Sequence, residues 1–158
     1  MNRVGSGYDV HRLEKGDGIT LFGVKIPCPY SLVAHSDGYV PIHAIMDAIL
    51  SALGEKDIGH HFPVDDPRYD DADSMLLLDT VMDICHKKGY KVENVTTTVI
   101  AESPKLAPYI NEMRARTCAR LGVPVECVGI AATTNEQVGQ IGDGKAIAAY
   151  ATVLLSSL

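Results

Sequence analysis

The sequence predicts a single α+β domain spanning residues 1–158, a mixed β-sheet with helices packed on one face. Three observations lead there. At 158 residues and 46% hydrophobic content, the chain has the size and apolar material for one core. Segments of strand and helix periodicity follow one another in the order β-β-α-α-β-α-β-β, which suits helices laid on a sheet. No repeat, low-complexity tract or linker divides them.

Residues 3–9 read as a strand interrupted by small residues, and 19–27 as a second with a bend at Phe22-Gly23. Residues 28–37 read as a loop. Ile42, Ile45, Met46, Ile49, Leu50 and Leu53 recur at helical spacing, so 39–53 is predicted as a helix that Gly54 stops. Residues 55–73 are polar and rich in Asp and Pro; an irregular stretch this long in a small domain is usually functional. Ser74 precedes a helix running to about Lys88, ended by Gly89. The β-branched run 92–101 is a strand, and 104–121 a helix closed by Gly122. Residues 125–132 and 145–156 are the last strands, joined by the polar loop 133–144.

Composition narrows the function classes. A formal net charge of -6 speaks against a nucleic-acid binder. The chain has no run of about 18 apolar residues, so no membrane span is predicted, and its first residues lack the apolar stretch of a signal peptide. Cys28, Cys85, Cys118 and Cys127 form neither a CxxC pair nor zinc-finger spacing, and a reducing compartment fits them. Cys85 and Cys118 fall in helical patterns and are expected to be buried thiols. An acidic enzyme working on phosphates needs positive potential supplied locally, by metals, lysines or backbone N–H groups.

Asp9 and His11 lie two residues apart, so on an extended segment they share a face and can grip one ion. Such a triplet taken alone is more often a turn aspartate and a surface histidine. His43 begins a stripe of the 39–53 helix, with Asp47 one turn on. A helical histidine taken alone is more often structural. Two histidines and an aspartate nevertheless leave open the fourth tetrahedral position that a catalytic zinc requires. Asp47 is then a candidate to orient a ligand.

Three blocks carry a resemblance. Residues 5–13 (Gly-Ser-Gly-Tyr-Asp-Val-His-Arg-Leu), His35-Ser36-Asp37-Gly38 with 43–48 (His-Ala-Ile-Met-Asp-Ala), and 57–63 (Asp-Ile-Gly-His-His-Phe-Pro) occur in this order. They resemble the signatures of the methylerythritol cyclodiphosphate synthases, at that family's spacing, and the resemblance covers nearly the whole chain. It implies that Asp9, His11 and His43 bind Zn2+, and that Glu136, in Thr133-Thr134-Asn135-Glu136, binds Mg2+ or Mn2+. It implies a substrate that is a cytidine diphosphate ester of methylerythritol 2-phosphate, cyclised with release of CMP. His35 and Thr134 match positions credited with transition-state stabilisation. Asp57, Gly59, Ser36, Phe62, Asp66 and Thr133 match substrate-binding positions. Ala101-Glu102-Ser103-Pro104-Lys105-Leu106-Ala107 resembles the cytidine pocket, with Ala101, Lys105, Leu106 and Ala107 binding; a helix beginning near Pro104 would favour phosphate there. On residue type alone, Glu136 reads as a solvated loop acid, Lys105 as a plain exposed lysine, and Thr133-Thr134 as turn residues. His60, His61 and His86 receive no role. The resemblance further implies a homotrimer with active sites between subunits, in the cytoplasm of a bacterium, or in a plastid stroma where a transit peptide has been removed.

The sequence departs from the family at Tyr39, Val64 and Ala131, and in Gly142-Asp143-Gly144-Lys145-Ala146, where the family carries Gly-Arg-Gly-Glu-Gly. The signs of one charge pair near the expected trimer axis are therefore exchanged, and a prenyl diphosphate is expected to bind there weakly. None of these departures removes an expected metal ligand. The alternative of another class is a non-catalytic trimeric metal-binding protein on the same fold, which would need neither Glu136 nor Lys105. A generic metal-dependent phosphohydrolase would need a base beside the metal, and the sequence offers none.

Overall fold

The computed structural model describes residues 1–33, 40–63 and 73–158. Its main sheet has the order β4-β1-β7-β5-β6, formed by β1 (Asn2–Lys15), β4 (Tyr30–Val33), β5 (Tyr90–Ile100), β6 (Val128–Thr133) and β7 (Ala146–Ser157). All neighbours are antiparallel except β5 and β6, which run parallel, so the sheet is mixed as expected. A separate hairpin joins β2 (Ile19–Leu21) to β3 (Val24–Ile26).

Several boundaries differ from the sequence reading, each for a local reason. The first strand continues past residue 9 to Lys15, because Asp9 to Arg12 pair with β7 opposite Ala149 to Ala146. The 19–27 strand is two strands, since Phe22 (φ 52) and Gly23 (φ 76) both turn left-handed, as the tightest hairpin turn demands. Phe22 has a Cβ that disfavours this conformation, and its complete burial offsets the cost. The presumed loop 28–37 contains β4, which pairs with the far end of β1. Two short helices interrupt segments read as irregular: α2 (Ile58–His61) and α5 (Gly139–Gly142).

The longer helices are α1 (Val40–Ala52), α3 (Ser74–Lys87) and α4 (Ile110–Leu121). α1 is buried nearly all round, which fits its position between β1 and β7 beneath and α3 above. Gly54 (φ 71), Gly89 (φ 84) and Gly122 (φ 69) close α1, α3 and α4 as expected. The cap of α3 is Asp73, whose side chain accepts from Met75 N–H at 2.9 Å; Ser74 is the first helical residue instead. The 104–121 helix begins only at Ile110, after a 3-10 turn at Ala107–Tyr109, so no helix N-terminus lies at Pro104. Cys85 is buried and its thiol is pushed up to about 11 by that burial. Cys118 is not buried as expected: only Met113, Thr117 and Leu121 of α4 are.

The helices cover one sheet face. On β1, Gly5 is buried and faces α1, while Val4, Tyr8 and Val10 alternate to the other side and are 67%, 47% and 45% exposed. Tyr150 of β7 joins them, its ring 4.8 Å from that of Tyr8.

Candidate metal centre and substrate site

The strand–helix contact of β1 and α1 explains how residues 9, 11 and 43 meet. A Cβ added to Gly5 would stand 1.9 Å from Ala48 O, and one added to Gly7 would stand 2.0 Å from Ala44 O. The helix backbone thus rests directly on the strand. Two strand residues advance about 6.6 Å and four helix residues about 6 Å, so the two elements keep step. Gly5 and Gly7 oppose successive turns of α1, and the next residues of the same strand face, Asp9 and His11, reach its first turn, where His43 sits.

Asp9 Oδ2 lies 3.1 Å from His11 Nδ1 and 3.2 Å from His43 Nδ1. The histidine rings are 5.5 Å apart, and one ligand atom from each of the three residues falls within 4.8 Å of the others. Asp9 Oδ2 and His11 Nδ1 are buried atoms at ion-pair distance, yet neither has a hydrogen-bond partner among the described residues. Buried polar atoms so placed call for a further occupant. The edges of a tetrahedral nitrogen–oxygen site around zinc are about 3.3 Å, from ligand bonds of about 2.0–2.2 Å. The two Asp9–histidine separations match such edges, and the donor set fits a small divalent cation. Burial pushes the Asp9 carboxyl up, but His11 and His43 together outweigh it and hold the group below its usual range.

The ring of His43 is oriented from a place the sequence did not reveal. Its Nε2 is 3.1 Å from Oγ of the fully buried Ser74. With Nε2–H donating to that hydroxyl, the Nδ1 lone pair faces Asp9. Asp47, expected to orient a ligand, does something else. Its Oδ1 accepts from Ile58 N–H at 3.0 Å and so ties α2 to α1. Burial is the largest influence on the Asp47 carboxyl and raises it. The only sequence signal for Ser74 was its place at the start of α3.

Asp57 and Gly59 are carried by this tied segment. Asp57 Oδ1 is 2.7 Å from His60 Nδ1, and that contact, the largest cause, holds the exposed carboxyl below its usual range. Asp57 and Asp47 line an open cleft of about 400 Å³ with Gly7 and Glu55. At Gly59 an added Cβ would meet nothing nearer than Asp57 Oδ1 at 3.7 Å, so the chain's own packing does not require glycine there. Phe62 packs against the core edge beside His61. His35, Ser36 and Asp66 lie outside the described residues, as do Tyr39 and Val64.

A second site lies at the ends of the parallel strands. Ala101, Lys105, Leu106 and Ala107 line a cavity of about 220 Å³ with Thr133 and Thr134. Ala101 and Leu106 are buried and Lys105 is exposed. Glu136 (φ 51) is exposed on the loop after β6, and its N–H is 3.2 Å from Thr134 Oγ1. Thr134 thus performs turn chemistry while keeping its hydroxyl hydrogen for another partner. The metal triad is absent from this cavity's lining. Asp9 pairs with Ala149, Ala149 with Val99, and Val99 with Ala132, which places Thr133 three strands from Asp9, about 14 Å away. Among the described residues, no ion pair joins Asp143 to Lys145 within the chain.

These sites stand on a chain whose likenesses agree. Residues 2–156 match the model of the YgbB family. The 2-C-methyl-D-erythritol 2,4-cyclodiphosphate synthase of Thioalkalivibrio sulfidiphilus is 49% identical over 98% of this chain and 97% of its own. Among solved structures, the bifunctional IspDF of Campylobacter jejuni superposes with a TM-score of 0.96 at 34% identity, over 100% of this chain; the chain spans 43% of that longer protein. A CDP complex of Plasmodium falciparum IspF superposes with a TM-score of 0.87 at 34% identity, over 99% of this chain and 96% of its own. With a match along nearly its entire length and half its residues shared with a synthase of the same size, the chain belongs to the YgbB family of 2-C-methyl-D-erythritol 2,4-cyclodiphosphate synthases.

Proposed function

We propose that the chain, as one synthase domain over residues 1–158, converts 4-diphosphocytidyl-2-C-methyl-D-erythritol 2-phosphate to 2-C-methyl-D-erythritol 2,4-cyclodiphosphate and CMP, as a phosphorus–oxygen lyase. The convergence of Asp9, His11 and His43 carries this reading, because a carboxylate and two imidazoles with an open side suit a catalytic ion. An oxygen of the 2-phosphate attacks the β-phosphorus, the bond from that phosphorus to the bridging oxygen breaks, and CMP leaves with the electron pair. Such a transfer needs in-line positioning and charge neutralisation more than covalent help. The triad would hold Zn2+, which supplies Lewis acidity to a phosphate oxygen. Glu136 would hold Mg2+ or Mn2+, whose charge suits the diphosphate.

The chain's own groups do the positioning. Asp57, kept ionised by His60, accepts from the hydroxyls of the erythritol. The backbone of 101–107 reads the cytosine, Lys105 adds a point charge, Gly59, Phe62 and Thr133 complete the enclosure, and Ser36 and Asp66 are further substrate-binding residues on the strength of the resemblance alone. His35 and Thr134 donate to the transferring phosphate. A non-catalytic metal binder would leave the cavity at 101–107 without a use, and the named relatives favour the catalytic reading. The test follows CMP release and the cyclic diphosphate by ³¹P NMR. Glu136→Gln should keep the zinc yet lose turnover on the order of a hundredfold, as loss of one electrostatic stabiliser does. Unchanged turnover and unchanged Mg2+ dependence in that variant would remove Glu136 from the site.

The assembly we propose is a homotrimer whose sites are shared between neighbours. Two observations support it: the apolar sheet face bearing Val4, Tyr8, Val10 and Tyr150 has no helix over it among the described residues, and about 14 Å of sheet separates the triad from the 101–107 cavity. Sedimentation should give three chains per particle. Mixing inactive His43→Ala chains with inactive cytidine-pocket variants should restore part of the activity, since hybrids contain some intact sites. Hybrids that form and stay inactive would overturn the shared site. A cytoplasmic location, or a plastid stroma, fits four free cysteines, and no helix among the described residues is long and apolar enough to cross a membrane.

A further inference from the structure

The turn that presents Glu136 is held by a carboxylate from the neighbouring loop. Glu136 and Gln137 follow one another in the left-handed region, at φ 51 and 60, although each carries a Cβ that disfavours it. Something must over-determine such a turn. Its backbone donors are taken one by one. Glu136 N–H goes to Thr134 Oγ1 at 3.2 Å, and Val138 N–H to Asn135 O at 2.9 Å. The remaining two, Asn135 N–H and Gln137 N–H, converge on a single atom outside the loop, Oε1 of Glu102, at 2.8 and 3.2 Å.

Amides converging from a left-handed turn form a nest for an anion. Here the nest is filled by the protein's own carboxylate, and bonds to an ionised acceptor are the stronger kind. Glu102 stands just past β5, whose ladder continues in Ala101 N–H donating to Thr133 O at 3.0 Å. It therefore couples the two loops that meet at the 101–107 cavity. Two consequences follow for the chemistry. The nest is closed to a substrate phosphate, because its amides already have a partner. Glu136 itself takes no part in filling the nest with its side chain and is left exposed, where a cation can reach it.

We infer that Glu102 is a positioning residue: by filling the amide nest of residues 135–137 it fixes the turn that aims Glu136 at a diphosphate-bound cation. The inference rests on the reading of Glu136 as the ligand of that cation, and the experiment separates the two.

Binding of Mn2+ in the presence of CDP is measured by electron paramagnetic resonance, beside amide hydrogen exchange of Asn135 and Gln137. Glu102→Ala should speed exchange of both amides at least tenfold and weaken Mn2+ at least tenfold, in the range that outer supports of a metal site command. Its zinc content should not change, which a general loss of structure would not allow. Glu102→Gln keeps an acceptor oxygen at the same reach and should restore Mn2+ binding to within about threefold of the parent protein. Faster amide exchange with unchanged Mn2+ binding in Glu102→Ala, or unchanged exchange, overturns the inference. If Glu136→Gln binds Mn2+ as the parent does, it is the underlying reading of Glu136 that fails. Glu102→Asp withdraws the charge by one methylene and carries the same expectation and refutation where the alanine variant does not fold.

Discussion

Replacing His43 by alanine is expected to strip the protein of its triad-bound metal and reduce CMP release by at least a hundredfold, on the order of what one lost electrostatic stabiliser costs. The site has three protein donors among the described residues, and two cannot hold a tetrahedral ion against water and competing chelators. The loss is compounded at Ser74, whose fully buried hydroxyl would be left facing a void where Nε2 now lies at 3.1 Å. Elemental analysis of the purified variant, with CMP release measured on the same sample, checks both halves. Ser74→Ala separates orientation from ligation. It keeps all three donors and removes only the group that turns the ring, so metal affinity should fall about 10–100-fold while activity returns at saturating zinc. A His43→Ala protein verified free of zinc yet fully active would refute the assignment of the triad.

The contrast between His43 and Ser74 marks what a sequence makes legible. Asp9, His11 and His43 were found from spacing joined to a signature, because two-residue alternation and helical periodicity are properties of the chain itself. Ser74 is 31 positions from His43 and its role exists only once α3 lies over α1. Asp47 shows the opposite error. Its i+4 spacing from His43 was real, but the unpaired N–H of Ile58 made the stronger claim on its carboxylate. Glu102 was visible only as part of a resembling block, since nothing local announces that two amides 33 and 35 residues away will converge on it. The fold follows the same division. The ends of the helices closed by Gly54, Gly89 and Gly122 were placed to within a residue or two, whereas β4 was missed because it pairs with Arg12 to Lys15, the part of β1 beyond the strand expected at 3–9. The early start given to the last long helix came from reading Pro104 as its first residue, where the chain first builds a cavity wall from Pro104 to Ala107 and then a 3-10 turn.

The glycines of β1 join fold to function most directly, and Gly7→Ala is the variant that tests the connection. The new methyl would have to sit 2.0 Å from Ala44 O and 2.9 Å from Ala48 N. Both contacts are helix backbone, which cannot swing aside as a side chain could, so α1 must move off the strand. The cost should reach about 3 kcal/mol, at the upper end for overpacking, and lower the melting temperature by roughly 6–12 °C for a domain of this size. The same movement separates His43 from Asp9 and His11, because the ligands are divided between the two elements being forced apart. Zinc affinity should therefore fall at least tenfold, although no ligand has been changed, as it does when a supporting contact of a metal site is lost. Gly129→Ala is the matched control. It lies on β6, where an added Cβ would meet only Thr96 and Val95 atoms at 3.6 Å and beyond. That variant should keep the parent's melting temperature within a few degrees and its zinc in full. A Gly7→Ala protein indistinguishable from Gly129→Ala in both measurements would mean that α1 can retreat at little cost, and that the close seating of helix on strand does not set the geometry of the metal site.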